Sequence, residues 1–464
     1  MKKYDLIVIG MGPAGMVAVG MGTKLGLNVL GIEMKSIGGE CLNVGCIPSK
    51  AMLKIAQMKY NTDILSDFGL KLNGNVEVVN PLETVRKHVS SQTGESLNKK
   101  FSKADLLLEK GSATFVDEHT VEVDGIKYHG DLIFIATGTH PMIPPIEGLS
   151  DVPYLTNVNV FSLKEIPNRL TIIGGGAIGV EMAQAFSRLG SKVTIVHMGK
   201  HLVPSEDSEA AAVLEESFSK EGIVFYNDES VESVSKESNE FFIKTTKGTF
   251  VSDQLLVATG RKPYLDSLNL DAAGVRYDKE HINVDEFNRT NVSHIYAVGD
   301  INGKWLLTHA AMHQAMLSLM QAMSQKESKM LNRSNYVVPR AIFTNPEIAQ
   351  VGLSENEAKK EGLEFFVVKV KYETYARAAT TGSLVGFVKV ITDDEGTVHG
   401  ATIVGEQASE MISEWTLAMQ HNLKMMDILM TQHAFPSLSL LNRNVAEKWM
   451  MTQVTKGNLA SLLG

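Results

Sequence analysis

One nucleotide-binding pattern occurs twice in this chain, and that duplication restricts the fold more than any other feature. A strand-like run, YDLIVIG (Tyr4–Gly10), leads into G-M-G-P-A-G with glycines at Gly10, Gly12 and Gly15. A helix and a second strand, NVLGIE, follow and end at Glu33. A second run, RLTIIG (Arg169–Gly174), leads into G-G-G-A-I-G with Gly174, Gly176 and Gly179, and its second strand, KVTIVH, ends at His197. Each copy closes on a strand and an A-T-G turn, at Thr137–Gly138 and again at Gly260. A lone G-x-G-x-x-G says little. Two copies, each following a strand and opening a helix, predict two dinucleotide-binding units of the α/β class. The glycines permit the tight turn and let the backbone approach a pyrophosphate, which the amide groups and dipole of the helix N-terminus attract.

The first copy is the longer. Its extra length holds two amphipathic stretches, about 48–60 and 81–103, and the chain's only two cysteines, Cys41 and Cys46, in GGECLNVGCIPSK. A zinc site needs four ligands, and no further Cys or His completes one here, so no metal site is expected. Two unrelated buried thiols would not need this Gly/Pro-rich frame. The segment reads as a redox pair beside a dinucleotide.

The chain's 464 residues exceed one ordinary core, so several domains are expected. A net charge of −9 gives no basic field for nucleic acid or an anionic membrane. Two cysteines leave no disulfide framework, which fits a reducing, cytoplasmic setting. Residues 6–23 are uncharged and imitate a membrane helix, but five glycines and Pro13 interrupt them; they read as strand, turn and helix start.

Each copy ends in residues suited to reading a ribose. Glu33 can accept hydrogen bonds from adenosine ribose hydroxyls. In the second copy His197 replaces the acid expected for NAD, with Lys200 and His201 close behind, which leans toward NADPH. Gly179 is more usual among NAD readers, and use of both carriers stays open.

GGECLNVGCIPSK, both fingerprints, both A-T-G turns and the AVGD stretch before Asp300 resemble the flavoprotein disulfide reductases, the class I pyridine nucleotide-disulfide oxidoreductases. The Cys segment is most similar to the lipoamide and mercuric members. The resemblance implies FAD and NAD(P)H as cofactors and two Rossmann-like domains plus a C-terminal α+β dimerisation domain. It divides the chain into an FAD-binding domain (1–148) with the Cys pair, an NAD(P)-binding domain (149–270), a segment returning to the FAD domain (271–333) and an interface domain (334–464). It further implies Cys46 as the thiolate against the flavin and Cys41 as the interchange thiol. Lys50 would lie beside flavin N5, paired with Glu181, and Asp300 would bind the ribityl or phosphate region, with Thr308 and Ala113 nearby. VPRAIFTNPEIAQVG (Val338–Gly352) is similar to the family's dimer-interface segment, implying a homodimer.

One departure stands out. The dithiol members carry a His immediately before a Pro and a Glu five residues after that His; here those positions are Phe435, before Pro436, and Leu440. The lost acid–base dyad contributes about 10²–10⁴ in rate. His433, two residues upstream, reads as structural. F-P-x-L-S resembles the mercuric members, yet the tail VTKGNLASLLG lacks the cysteines that deliver their metal. Tyr372, Tyr375 and Arg377 read as a surface loop, and the 22 methionines as adaptable core filling. The resulting expectation is an FAD-dependent NAD(P)H oxidoreductase acting on a dithiol or disulfide. A metal or quinone acceptor, and a structural or sensing subunit of a multienzyme complex, stay open.

Overall fold

A computed structural model describes residues 1–324, 326–328 and 336–458. Its first layer is a seven-stranded sheet whose central strands are near-continuous apolar runs, as burial on both faces demands. Along the sheet the order is Asp105–Leu108, Val29–Glu33, Lys2–Ile9, Ile126–Ile135, Thr120–Val123 and Thr114–Asp117, with Ile295–Ala297 also paired to Ile126–Ile135. That last strand comes from TNVSHIYAVGD, so the sheet recovers a piece of chain from far downstream, in parallel register with Ile133–Ile135. The helix Pro13–Lys24 crosses between the first two strands, with Pro at its first position, where the missing N–H costs nothing.

The second unit repeats the plan on a smaller scale. Four parallel strands lie in the order Val224–Tyr226, Lys192–Val196, Arg169–Ile173 and Gln254–Val257, with the helix Ala177–Arg188 as crossover. A three-stranded meander, Val231–Ser252, covers one end. After each A-T-G turn the chain enters a short strand, and these two strands, Thr139–Pro141 and Arg261–Pro263, pair antiparallel with each other. The turns of both copies are thereby held side by side.

The C-terminal third is a five-stranded antiparallel sheet, Arg340–Ile342, Glu347–Gly352, Val398–Gly405, Phe387–Thr392 and Phe366–Lys371 in spatial order, packed with the helices Ala408–Gln420 and Leu440–Thr455. Trp415 and Trp449 are fully buried there. The three interior strands, Glu347–Gly352, Val398–Gly405 and Phe387–Thr392, are buried along nearly their whole length. The stretch 81–103 is broken at Gly94 (φ +70°) into Pro81–Gln92 and Glu95–Lys99. Tyr372 and Tyr375 correct the surface-loop expectation. Both rings are buried in the core of this sheet, and the Tyr372 hydroxyl donates to the Glu406 carbonyl at 2.9 Å. Among the described residues no helix is long and apolar enough to cross a membrane.

Candidate active site

The two fingerprints fold almost identically. Gly10 and Gly174 have φ of +95° and +112°, and a Cβ on either would strike the carbonyl of the closing strand, Ala136 or Ala258. A Cβ on Gly15 or Gly179 would overlap the carbonyl oxygen of Gly10 or Gly174, so helix and turn pack backbone to backbone. At Gly12 and Gly176 a Cβ would meet nothing within 4 Å. Those two residues begin the helices Pro13–Lys24 and Ala177–Arg188, neither of which has a side-chain cap among the described residues. Open space in front of uncapped amide groups fits a pyrophosphate in each copy. Glu33, at the end of its strand, is 8% exposed and accepts the amides of Met11 and Lys35, each at 2.8 Å.

Beside the first cradle, a Cβ on Gly39 would strike the Gly12 backbone, and Gly39 opens the helix Gly39–Val44, which carries Cys41. Cys46 is the first residue of the 18-residue helix Cys46–Asp63. Both cysteines are free thiols and half-buried. Thr308, the first residue of the helix Thr308–Met323, donates to Cys41 Sγ at 3.2 Å and lies 3.4 Å from Cys46 Sγ. The pair shares one proton unequally. The Cys41 S–H stabilises a thiolate on Cys46, and the Thr308 hydroxyl and the Lys50 charge add to it, lowering the Cys46 pKa to about 6. The charge on Cys46 and burial push Cys41 up. The N-terminus of its own helix is a favourable place for that negative charge.

Lys50, one turn into the same helix, reaches across to the second unit, where its ammonium meets both oxygens of Glu181 at 3.0 and 2.8 Å. Glu181 is 4% exposed and also accepts the amide of Phe343, whose ring lies 4.4 Å below the Lys50 ammonium. A second chain of polar contacts ties the cysteine helix to the paired A-T-G turns. Arg261 binds Glu40 and donates from Nε to Thr139 Oγ1 at 2.7 Å, and Thr139 donates to Asp300 at 3.0 Å. Burial raises the Asp300 pKa, against the opposing pull of Arg261. Ala113 is buried in the core beneath the same sheet, and Gly138 turns with φ +65°.

The pyridine nucleotide-disulphide oxidoreductase family model matches residues 4–315, and its dimerisation domain matches 338–444. The chain belongs to this family. A dihydrolipoyl dehydrogenase from Thermus scotoductus is 36% identical over 454 residues, covering 95% of this chain and 96% of that one. A mercuric reductase from Lysinibacillus sphaericus is 34% identical over 437 residues, 92% of this chain and 79% of that one. Among solved structures, a Cu(II) complex of the HOCl-induced flavoprotein disulfide reductase RclA from Escherichia coli superimposes with a TM-score of 0.86 at 27% identity, covering 97% of this chain and all of that one. The oxidoreductase thus has the FAD- and pyridine-nucleotide-binding architecture of its family, and its dimerisation domain supports a homodimer.

In this oxidoreductase the two positions of the missing dyad lie in the dimerisation domain. Phe435 is 78% exposed, and Leu440 starts the helix Leu440–Thr455. His433 is turned inward: Nε2 meets Glu414 Oε1 at 2.8 Å and Nδ1 meets the Thr431 carbonyl at 3.0 Å. Glu414 in turn accepts from Asn442, which holds the buried Trp415 indole. In the second cradle His197 is bent back, with Nδ1 accepting the Gly175 amide at 3.1 Å, and burial lowers its pKa. Its neutral ring offers no cation to a 2′-phosphate; Lys200 is exposed and His201 is turned to the Leu202 carbonyl. Sequence reasoning missed Glu40, Arg261 and Phe343, and it gave Thr308 no part beside the sulfurs. These contacts join residues more than a hundred positions apart, and no local pattern announces them.

Proposed function

We propose that the protein transfers electrons between NAD(P)H and a small dithiol or disulfide of the dihydrolipoamide type, with Cys41 and Cys46 as the redox pair. The observation that carries this reading is the pair itself: two thiols that share the Thr308 hydroxyl, one held as thiolate, beside a lysine–glutamate pair and an open pyrophosphate cradle. FAD, when bound, would supply the two-electron step between nicotinamide and sulfur. Gly10, Gly12, Gly15, Glu33, Thr137, Gly138, Asp300 and Ala113 would hold it. Gly174, Gly176, Gly179 and Gly260 would hold the nicotinamide nucleotide. Cys46 keeps its charge at neutral pH, Lys50 supports that charge, Glu181 fixes the position of the Lys50 ammonium, and Cys41 exchanges with the acceptor. The lean to NADPH rests on Lys200 now that His197 is committed to Gly175. Two unpaired cysteines poised for exchange suit a reducing cytoplasm.

Anaerobic turnover of both nicotinamides against lipoamide, glutathione disulfide, mercuric ion and a quinone tests the reading. Lipoamide is expected to be reduced fastest. Inert lipoamide alongside rapid turnover of the metal or the quinone would overturn it, as would a long-wavelength thiolate band that persists in Cys46→Ser.

A further inference from the structure

Thiol–disulfide exchange needs Cys41 as a thiolate, because the protonated thiol is not a nucleophile. In the resting dithiol the negative charge lies on the other sulfur, held there by the Cys41 S–H, by Thr308 and by Lys50. A proton must therefore leave Cys41 before it can attack. Phe435 and Leu440 have no proton to exchange, and both ring nitrogens of His433 are engaged by Glu414 and the Thr431 carbonyl. The Thr308 hydroxyl lies between the sulfurs, donating to Cys41 Sγ at 3.2 Å in the resting pair and lying 3.4 Å from Cys46 Sγ. A hydroxyl donates one hydrogen bond, accepts others, and rotates to suit its partners.

We infer that Thr308 is a further catalytic residue whose hydroxyl relays a proton between Cys41 and Cys46, so that the dithiol serves as its own acid–base pair. The inference rests on the proposed role of Cys41 as the exchange thiol. The relay runs from the rotated form of the hydroxyl, which accepts from Cys41 and donates to Cys46. The Cys41 S–H bond breaks and its proton passes to Thr308 Oγ1, while the proton already on Oγ1 passes to the Cys46 sulfur. One S–H bond is lost, one is formed, and no oxidation state changes. The Cys41 thiolate then attacks the acceptor disulfide, forming a mixed disulfide and expelling one thiolate, which takes the proton stored on Cys46. The Cys46 thiolate attacks Cys41 sulfur, closing the Cys41–Cys46 disulfide and releasing the second thiolate, protonated by solvent. Two electrons pass from the dithiol to the acceptor. The start of the helix Cys46–Asp63 and the Lys50 charge favour the thiolate on Cys46, so the relayed Cys41 thiolate is a minor form that attack on the acceptor draws off.

The test compares wild type, Thr308→Val and Thr308→Ser as FAD-loaded enzymes reduced by one equivalent of NADPH under anaerobic conditions. Two quantities are read: the rate of Cys41 alkylation by iodoacetamide at pH 7, followed by peptide mapping, and the pH midpoint of the thiolate-to-flavin band. Valine keeps the shape and removes the relay; serine keeps the hydroxyl. Alkylation of Thr308→Val is expected to fall about tenfold or more, with the band midpoint moved up by about one pH unit, while Thr308→Ser stays near wild type. Wild-type behaviour in Thr308→Val overturns the relay. So does a Thr308→Ser variant as slow as Thr308→Val, which would assign the effect to the methyl group's packing. Absence of the band in wild type would instead overturn the redox-pair reading, and the alkylation rates would still judge the relay.

Discussion

Lys50 and Glu181 join the two nucleotide-binding units at the one place where the redox cysteines need a counter-charge. The ammonium sits between both carboxylate oxygens, at 3.0 and 2.8 Å, and over the Phe343 ring. The lysine side chain is 35% exposed and the glutamate 5%, so the two partners are not equally dependent on the pair.

Removing the shallower partner should therefore cost more. Lys50→Met strands a buried carboxylate that keeps only the Phe343 amide, at a cost of about 2–4 kcal/mol in urea unfolding. Glu181→Gln leaves a lysine that water reaches, and about 1–2 kcal/mol is expected. The two variants should also move the Cys46 thiol in opposite directions, since Lys50 lowers its pKa and Glu181 raises it. A pH titration of the thiolate band would show the midpoint rising in Lys50→Met and falling in Glu181→Gln.

The lowered thiol gives a second expectation. With its pKa held near 6, Cys46 is a thiolate at pH 7 and is protonated as pH falls through that value. The long-wavelength band of the two-electron-reduced enzyme should thus persist from neutral to alkaline pH and fade on acidification around pH 6. A band that appears only above pH 8 would contradict the geometry.

The fingerprint glycines should separate binding from folding. Gly12 has φ −67° and open space at its Cβ, so Gly12→Ala should unfold within about 1 kcal/mol of wild type as apo-protein yet retain little FAD. In Gly15→Ala the new methyl overlaps the Gly10 carbonyl, and a loss of about 2 kcal/mol or more is expected even without cofactor. Calorimetry of the apo-proteins and flavin absorbance of the purified proteins distinguish the two.

Restoring the proton-handling pair should quicken the acceptor side. Phe435 is exposed, so a histidine there carries little packing cost. Phe435→His with Leu440→Glu is expected to raise lipoamide turnover by roughly tenfold or more. An unchanged rate would show that proton transfer from Cys41 does not limit exchange.

Much of this was legible in the chain alone. The strand–glycine–helix pattern is local, so the two cradles, their helix starts and Glu33 could be read directly. The Cys41–Cys46 frame named the redox pair, and Phe435 and Leu440 announced the missing dyad. Tyr372 and Tyr375 were misread because their burial depends on strands and helices distant in sequence. The ring direction of His197 was not legible, because it is set by the Gly175 amide rather than by its place at a strand end.

What the sequence determined by itself was the chemistry available: two dinucleotide cradles, one dithiol, a dimerisation domain and no histidine before Pro436. Only the tertiary structure decided which groups meet. It brought Thr308 between sulfurs more than 260 residues away, set Glu181 against Lys50, and tied Glu40 to Arg261. The reason is physical. Fingerprints are short-range consequences of backbone geometry, whereas contacts between helix starts follow from how whole sheets pack, and packing is encoded in the sum of the core rather than in any one segment.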